Sequence, residues 1–423
     1  MLNRYTRLSI PVLALAGVIM LTGAAAPASE AAQVRAAEQG QLRAIEAPAA
    51  WPLSTGRGVT VAVLDTGVDP AAADLAGSVI TGPDYTRGAD PPGYQPPHLH
   101  GTFIASLIAG HGSGPGRADG IIGVAPAARV LSVRVILDDQ EPGLGAYNSK
   151  PRYAGAIEDG IRYATRHGAQ VINMSLGTSQ PRPGMQAALG YAVSHGVLVV
   201  ASAGNSGGTG PGYTPYSYPA AFTGVISVAA VNDAGQRAPF SDRNSSVVLS
   251  APGVGIIGAG PGVSYLQASG TSPAAAFVTG VAALIRSAYP RLAPAEVVQA
   301  LISSARHRPA AGYSPATGFG EVDAVAALRA AGRLAAARPG TGLAAGSHFG
   351  GAPPGAIQVT RRDAPRVAVL AGVAAAGGLG FLVALVVLAI LTARAVRDRR
   401  RLAGRPQPGS AAGPAGPGGP DHG

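Results

Sequence analysis

Five runs along the middle of the chain are apolar at nearly every position: VTVAVLD (59–65), ARVLSVRVI (128–136), QVINMSL (170–176), GVLVVASA (196–203) and GVISVAAV (224–231). Runs of this kind predict strands buried on both faces, as in a parallel sheet. Between them, AGAIEDGIRYATRHG (154–168) and PGMQAALGYAVSHG (183–196) carry apolar residues at helical spacing and end at glycine. Three more helical patterns follow: SPAAAFVTGVAALIRSAY (272–289), PAEVVQALISSA (294–305) and VDAVAALRAAGRLAAA (322–337). Strands alternating with helices predict an α/β fold with a mainly parallel central sheet and helices on both sides. No internal repeat is apparent.

The two ends read differently. Arg4 and Arg7 precede an apolar stretch from Leu8 to Gly23, and Ala24–Ala26 and Ala26–Ala28 both fit an A-x-A cleavage pattern. This is the pattern of a secretory signal peptide over 1–28, and whether it is cleaved or kept as an anchor, the domain after it is exported. Near the other end, Val367 to Thr392 is an uncharged apolar run of about 26 residues, long enough for a ~30 Å hydrocarbon core. Arg394, Arg397, Arg399, Arg400, Arg401 and Arg405 follow at once, which by the positive-inside rule makes the tail cytoplasmic. The expected layout is therefore a signal peptide (1–28), a short N-terminal extension (29–50), a main folded domain (51–332), an Ala/Gly/Pro-rich linker (333–365), a transmembrane helix (366–393) and a basic, Gly/Pro-rich tail (394–423). The expected location is the cell membrane, single-pass.

Composition changes the picture in two places. The formal net charge of the 423 residues is +10, but much of it sits in the short tail, and no aromatic-basic or helix-turn-helix pattern supports nucleic-acid binding. There is no cysteine, which excludes disulfides and a thiolate zinc site. With 47% hydrophobic and 13% charged residues, a sizeable core is available.

The polar residues at the ends of the apolar runs carry the candidate chemistry. Asp65 ends the first run and is followed by Thr66 and Gly67. His100 opens the apolar stretch HLHGTFIASLIAG (98–110). Asn205 follows VLVVASA in a glycine-rich loop. Ser272 heads a helix behind a Gly-Thr turn, where free backbone N–H groups can meet an anion. A hydroxyl nucleophile needs a base, a group to orient that base and donors for an oxyanion. In a parallel sheet such groups collect at the carboxyl ends of strands. Singly, each has a plainer reading: a turn carboxylate, a capping or surface imidazole, a turn amide, a serine N-cap. His98, His100 and His111 lie two and eleven residues apart with no nearby carboxylate, a poor metal pattern.

Taken in order, VAVLDTGVD, HGTFIASLIAG and SGTSPAAAFVTG resemble the motifs of the subtilisin-like serine proteases over roughly residues 51–332. The resemblance implies a subtilisin-like three-layer sandwich. It implies Asp65 as the orienting carboxylate, His100 as general base, Ser272 as nucleophile and Asn205 as the oxyanion-hole amide. It also implies that the backbone of Ser175, Leu176 and Gly177 pairs with an extended protein or peptide substrate, with Ser202, Ala203 and Gly204 as the facing pocket wall. A cis Tyr218–Pro219 peptide is expected at the base of that pocket, with Ser217 on its floor. The order of segments is similar to that of the mycosin branch, which implies a type VII secretion membrane complex as partner.

Three positions depart from the family pattern: Phe103 in the His motif, Pro273 directly after Ser272, and Ala276 where a proline is usual. Mycosins often carry disulfides, absent here. No cofactor is expected. Asp74 stands at the spacing of a subtilisin calcium ligand, but the loop 110–120 supplies few oxygen side chains beyond Asp119, and calcium takes six to eight.

Overall fold

Strand residues alternate between faces, so a sheet covered on both sides needs apolar residues at odd and even positions alike. The computed structural model, which describes residues 6–7, 29–208, 212–337 and 364–403, realises this. In the strand Thr60–Asp65, Val61 and Val63 enter one hydrophobic cluster while Ala62 and Leu64 enter another on the opposite face. The neighbouring strands divide in the same way: Val130 and Val200 lie on the first side, Leu131 and Val199 on the second.

The sheet has seven strands, all paired in parallel. Across it they run Val247–Pro252, Val225–Val231, Leu198–Ser202, Val171–Met174, Thr60–Asp65, Arg129–Arg134 and Val79–Asp84. Thr60–Asp65, the earliest of these seven in the chain, thus lies between Val171–Met174 and Arg129–Arg134. From it the chain builds one flank of the sheet and then crosses to build the other, which makes the carboxyl end of Thr60–Asp65 a topological switch point. All five expected strands are present, each shorter by one or two residues at one or both ends.

The helix Thr271–Ala288 is buried from Thr271 through Arg286, hydrophobic all round as a core helix must be. It packs across five of the seven strands. Its small residues permit this close approach: Gly280 lies so near Val124 that a Cβ there would collide with it. Ala156–Arg166 and Pro183–Ser194 cover the other face. Thr6–Arg7, within the expected signal peptide, pairs antiparallel with Leu266 and Gln267 of a hairpin formed by Ile256–Ala259 and Tyr265–Ala268.

Residues 29–50 are more than a wrapping extension. Ser29 caps the helix Glu30–Ala44 by accepting the Ala32 N–H at 3.1 Å, and Val34, Glu38 and Leu42 form its buried stripe. Leu42, Ile45, Ala47 and Ala50 belong to the main core. Gln41 exchanges two hydrogen bonds with the backbone of Ile257, at 2.9 and 3.1 Å.

The stripe brings a carboxyl inside. Glu38 is fully buried; one of its oxygens accepts the Ile122 N–H at 2.9 Å and also faces Arg35 at 3.1 Å. Asp74, equally buried, accepts the Ile121 N–H at 2.8 Å. This donor set does not fit calcium. Backbone N–H groups face the acids, and Arg35 binds the carbonyls of Gly120 (2.7 Å) and Asp119 (2.9 Å) that a cation would need.

Chain contacts divide the molecule into Met1–Pro339 and Gly340–Gly423. In the second unit the described residues form one helix, Ala364–Ala403. Its segment Gly372–Arg397 is 26 residues long and uncharged as far as Arg394. At 1.5 Å per residue it spans about 39 Å, enough to cross a bilayer. The expected cleavage site, and most of the linker and of the tail, lie outside the described residues.

Burial pushes the Glu38 carboxyl up to about 8, against lowering by the Ile122 N–H and Arg35. The folded value lies above the ordinary 4.5, so deprotonation favours unfolding and stability falls as pH rises through 4.5–8. Burial also raises Glu141 to about 7 and Asp242 to about 6, with the same sign. Glu38→Gln should therefore flatten the alkaline half of this decline. Urea midpoints at pH 5, 7 and 8.5 check it; parallel curves for the two proteins would show that Glu38 does not titrate.

Candidate active site

Asp65 closes the first strand at the switch point and has no exposed surface. One of its oxygens, Oδ1, accepts the Thr66 N–H at 2.7 Å and meets His100 Nδ1 at 2.6 Å. A buried carboxylate accepting from Nδ1 leaves Nε2 as the basic nitrogen. His100 is the second residue of the helix Leu99–Ala109, and only 2% of it is exposed. Burial, the largest influence, pulls its pKa down. The charge and hydrogen bond of Asp65, joined by the charges of Asp138 and Asp139, outweigh burial and hold the ring above its ordinary value.

The next residue makes this contact feasible. Gly101 passes so close to the carbonyl of Gly67 that a Cβ would collide with it, and its N–H donates to Thr66 Oγ1 at 3.1 Å. Glycine is what lets the helix reach the strand end.

Ser272 is the second residue of its helix, behind Gly270 as N-cap. Pro273 is therefore the third helical residue rather than the first, still within the turn whose N–H groups lack helical acceptors. The hydroxyl of Ser272 donates to the Ser175 carbonyl at 3.3 Å, and Ser175 Oγ donates to the Ser272 carbonyl at 3.1 Å. Behind them, Thr279 Oγ1 donates to Asn173 Oδ1 at 2.8 Å, and Asn173 Nδ2 donates to Ser175 Oγ at 3.0 Å. The start of the Ser helix is thus bound to the end of the strand Val171–Met174.

Asn205 follows the strand Leu198–Ser202. Its Oδ1 accepts both the N–H and the hydroxyl of Thr271, each at 2.9 Å, which fixes the amide so that Nδ2 points away from Thr271. Thr271 Oγ1 accepts the Gly204 N–H at 3.2 Å, closing the ring of contacts.

The predicted pocket residues come together in part. Thr178 and Tyr218 pair antiparallel directly after Ser175–Leu176–Gly177, with bonds of 2.8 and 2.9 Å. A Cβ on Gly177 would strike Ser217 Oγ, and one on Gly204 would lie 3.2 Å from Ser217 Cβ, so both segments abut Ser217. Ser202 is buried at its strand end, Ala203 packs against Ala229 and Val247, and Gly204 borders Ser217. The Tyr218–Pro219 peptide is cis.

His98 and His111 serve backbone carbonyls: His98 Nδ1 meets Thr66 at 2.7 Å, and the two ring nitrogens of His111 meet Gly112 and Ala76 at 2.9 and 3.0 Å. No group of acidic and histidine side chains suited to a metal occurs among the described residues.

The sequence reading missed Asn173, Thr271, Asp138 and Asp242. Asp242 accepts the Ser206 N–H at 2.8 Å and donates its own N–H to the Gly204 carbonyl at 2.9 Å, holding the Asn205 loop from below.

Residues 56–320 match the model of the subtilase family (Peptidase S8), and the chain belongs to that family of subtilisin-like serine proteases. It is 35% identical to Mycosin-3 of Mycobacterium tuberculosis over 83% of each chain. It is 38% identical to thermitase of Thermoactinomyces vulgaris over 57% of this chain and 80% of that one. Among solved structures, the MycP3 protease from the type VII (ESX-3) secretion system superposes with a TM-score of 0.58 at 34% identity, covering 69% of this chain and 88% of that one. MycP1 with its N-terminal propeptide removed gives 0.57 at 29% identity, covering 68% and 96%.

Gly101→Ala should drive the His helix away from Asp65. A displacement near 1 Å costs on the order of 10²-fold in rate, so hydrolysis of a peptide substrate should fall about that much in a protein that still folds. Wild-type turnover in Gly101→Ala would refute the close fit.

Proposed function

We propose that the chain is a membrane-anchored, extracytoplasmic serine endopeptidase of mycosin type that works beside a type VII secretion complex. The observation that carries the reading is the 2.6 Å contact between Asp65 Oδ1 and His100 Nδ1 at the switch point of the sheet. In this reading Ser272 Oγ exchanges its long bond to Ser175 for His100 Nε2 and attacks the scissile carbonyl carbon as Nε2 takes its proton. Asp65 holds the Nδ1 proton and stabilises the imidazolium. The tetrahedral oxyanion is received by Asn205 Nδ2 and the Ser272 backbone N–H. Collapse breaks the C–N bond, and His100 returns the proton to the leaving amine. A water molecule, deprotonated by the same nitrogen, then attacks the acyl carbon; the bond to Ser272 Oγ breaks, and His100 returns the proton to that oxygen as the acid leaves. An extended substrate lies along Ser175, Leu176 and Gly177, with Ser202, Ala203 and Gly204 as the facing wall and Ser217 at the floor of the pocket.

The apolar segment Gly372–Arg397 supports anchoring, and the arginines after it support a cytoplasmic tail and an exported catalytic domain. The type VII assignment rests on the likeness to mycosins.

A fluorophosphonate probe should label the wild-type chain at Ser272. Ser272→Ala and His100→Ala should each leave only the ~10³–10⁴-fold residual acceleration expected without a triad member. Asn205→Ala should lower kcat roughly 10²–10³-fold with KM little changed. Peptide cleavage by Ser272→Ala would overturn the assignment.

The same apolar helix favours a second role, as a scaffold that stabilises the secretion complex whatever its proteolytic output. A span keeps the domain within a linker's reach of membrane partners and raises its effective concentration there. Removing residues 366–393 should then impair complex assembly as a full deletion does, whereas Ser272→Ala should leave assembly intact and change only substrate processing. Native-gel yields and secreted protein levels across the three strains decide this. A Ser272→Ala strain matching the full deletion removes the scaffold role.

A further inference from the structure

The first N–H groups of a helix need acceptors from outside it. At the helix Leu99–Ala109 the N-cap does not provide one. His98 is left-handed (φ 52°), makes no side-chain cap, and directs its ring to the Thr66 carbonyl. Asp138 acts instead, from a loop 38 residues further along the chain: its Oδ2 accepts the Leu99 N–H at 3.0 Å and its Oδ1 the His100 N–H at 3.2 Å.

Asp138 is itself buried and held in place. Its N–H donates to Glu141 Oε1 at 2.8 Å, and Glu141 Oε2 pairs with Arg134 at 2.5 Å. Arg134 also binds Asp84 at 3.1 Å and Asp90 at 3.3 Å. Arg134 ends the strand beside Thr60–Asp65 and stands in register with Asp65. The two attachments of His100 thus descend from adjacent strand ends at one level: the ring from Asp65, the backbone from Arg134 through Glu141 and Asp138.

We propose that Asp138 is a positioning residue for His100, fixing the backbone of the general base while Asp65 fixes its ring, and that its negative charge sets the pH range in which the base works. The proposal rests on the triad reading above. The charged groups that act on the ring are Asp65 from its strand end and Asp138 and Asp139 from the loop after Arg129–Arg134, and all three favour the protonated ring. Burial raises the Asp138 carboxyl, and the charge of His100 together with the N–H groups of His100 and Leu99 opposes that rise.

The test uses the full chain in detergent, a fluorogenic peptide and a fluorophosphonate probe. Asp138→Asn keeps the shape and an acceptor oxygen but removes the charge. Removing a negative charge disfavours the protonated ring, so the acid limb of the kcat/KM profile should move to lower pH with KM unchanged. Asp138→Ala removes the acceptor as well, and kcat should fall roughly 10- to 100-fold. A wild-type acid limb in Asp138→Asn, or a loss confined to melting temperature, would reduce Asp138 to an ordinary cap and overturn the proposal. If Asp138→Ala fails to fold, the pH profile of Asp138→Asn decides alone. Failure of the wild type to label at Ser272 would instead overturn the triad reading itself, independently of Asp138.

Discussion

The site depends on a carboxylate with no exposed surface. An ionised group taken wholly out of water is tolerated only where hydrogen bonds and an opposite charge replace its hydration. Asp65 receives the Thr66 N–H and the His100 ring on one oxygen, Oδ1, while its Oδ2 is buried without a hydrogen-bond partner among the described residues. The position is not arbitrary. Asp65 ends the one strand from which the sheet grows in both directions, so the connections on either side part there and leave a crevice. The helix carrying His100 arrives from one flank. The strand Val171–Met174, which leads into Ser175, and the loop carrying Asn205 arrive from the other. The topology assembles residues that lie more than 200 positions apart in the chain at one point.

The two sides of the crevice are braced by different means. Around His100 the bracing is ionic, through Asp138, Glu141, Arg134, Asp84 and Asp90. Around Ser272 the contacts run through neutral groups, Thr279, Asn173 and Ser175 on one line and Thr271, Asn205 and Gly204 on another, with the Asp242 carboxyl behind Gly204 and Ser206. The contrast has a physical basis. A base that cycles between neutral and charged forms is stabilised by fixed carboxylates nearby. On the Ser272 side burial raises the Asp242 carboxyl to about 6, which favours its neutral form.

What was legible in the sequence follows from the same physics. The central strands are apolar on both faces, so VTVAVLD and its counterparts stand out. Asp65, His100, Asn205 and Ser272 sit where such runs meet polar turns. The edge strand Val79–Asp84 did not stand out, because it contains Gly82 and Pro83 and is only half-buried. The hairpin strands Ile256–Ala259 and Tyr265–Ala268 are four residues each, too short for a period to show. The helix Glu30–Ala44 was hidden because one of its three buried positions is Glu38, which reads as surface until Ile122 and Arg35 are placed beside it. Asp138 was invisible for another reason: its partners are backbone N–H groups of a distant segment, and no side-chain motif records them.

The departures from the family motifs can be weighed on the same terms. Phe103 lies on the buried side of the His helix, and its ring occupies the space that a Cβ on Gly258 would enter, at 2.7 Å. The bulkier residue in the motif is thus matched by a missing side chain on the hairpin strand. Pro273 lacks an N–H at a position in the first turn where no helical acceptor exists, so no helical hydrogen bond is lost, and its ring restrains the backbone directly after Ser272. Ala276 lies a turn further in, fully buried among residues of equal size, where the helix crosses the sheet and an N–H has its helical partner. A proline there would remove that bond; alanine keeps it. Each change alters how the helices are packed or started, and none adds or removes a polar atom at Asp65, His100, Asn205 or Ser272. The packing around the site thus differs from the family pattern, while Asp65 and His100 stay in contact and Asn205 stays bound to Thr271 beside Ser272.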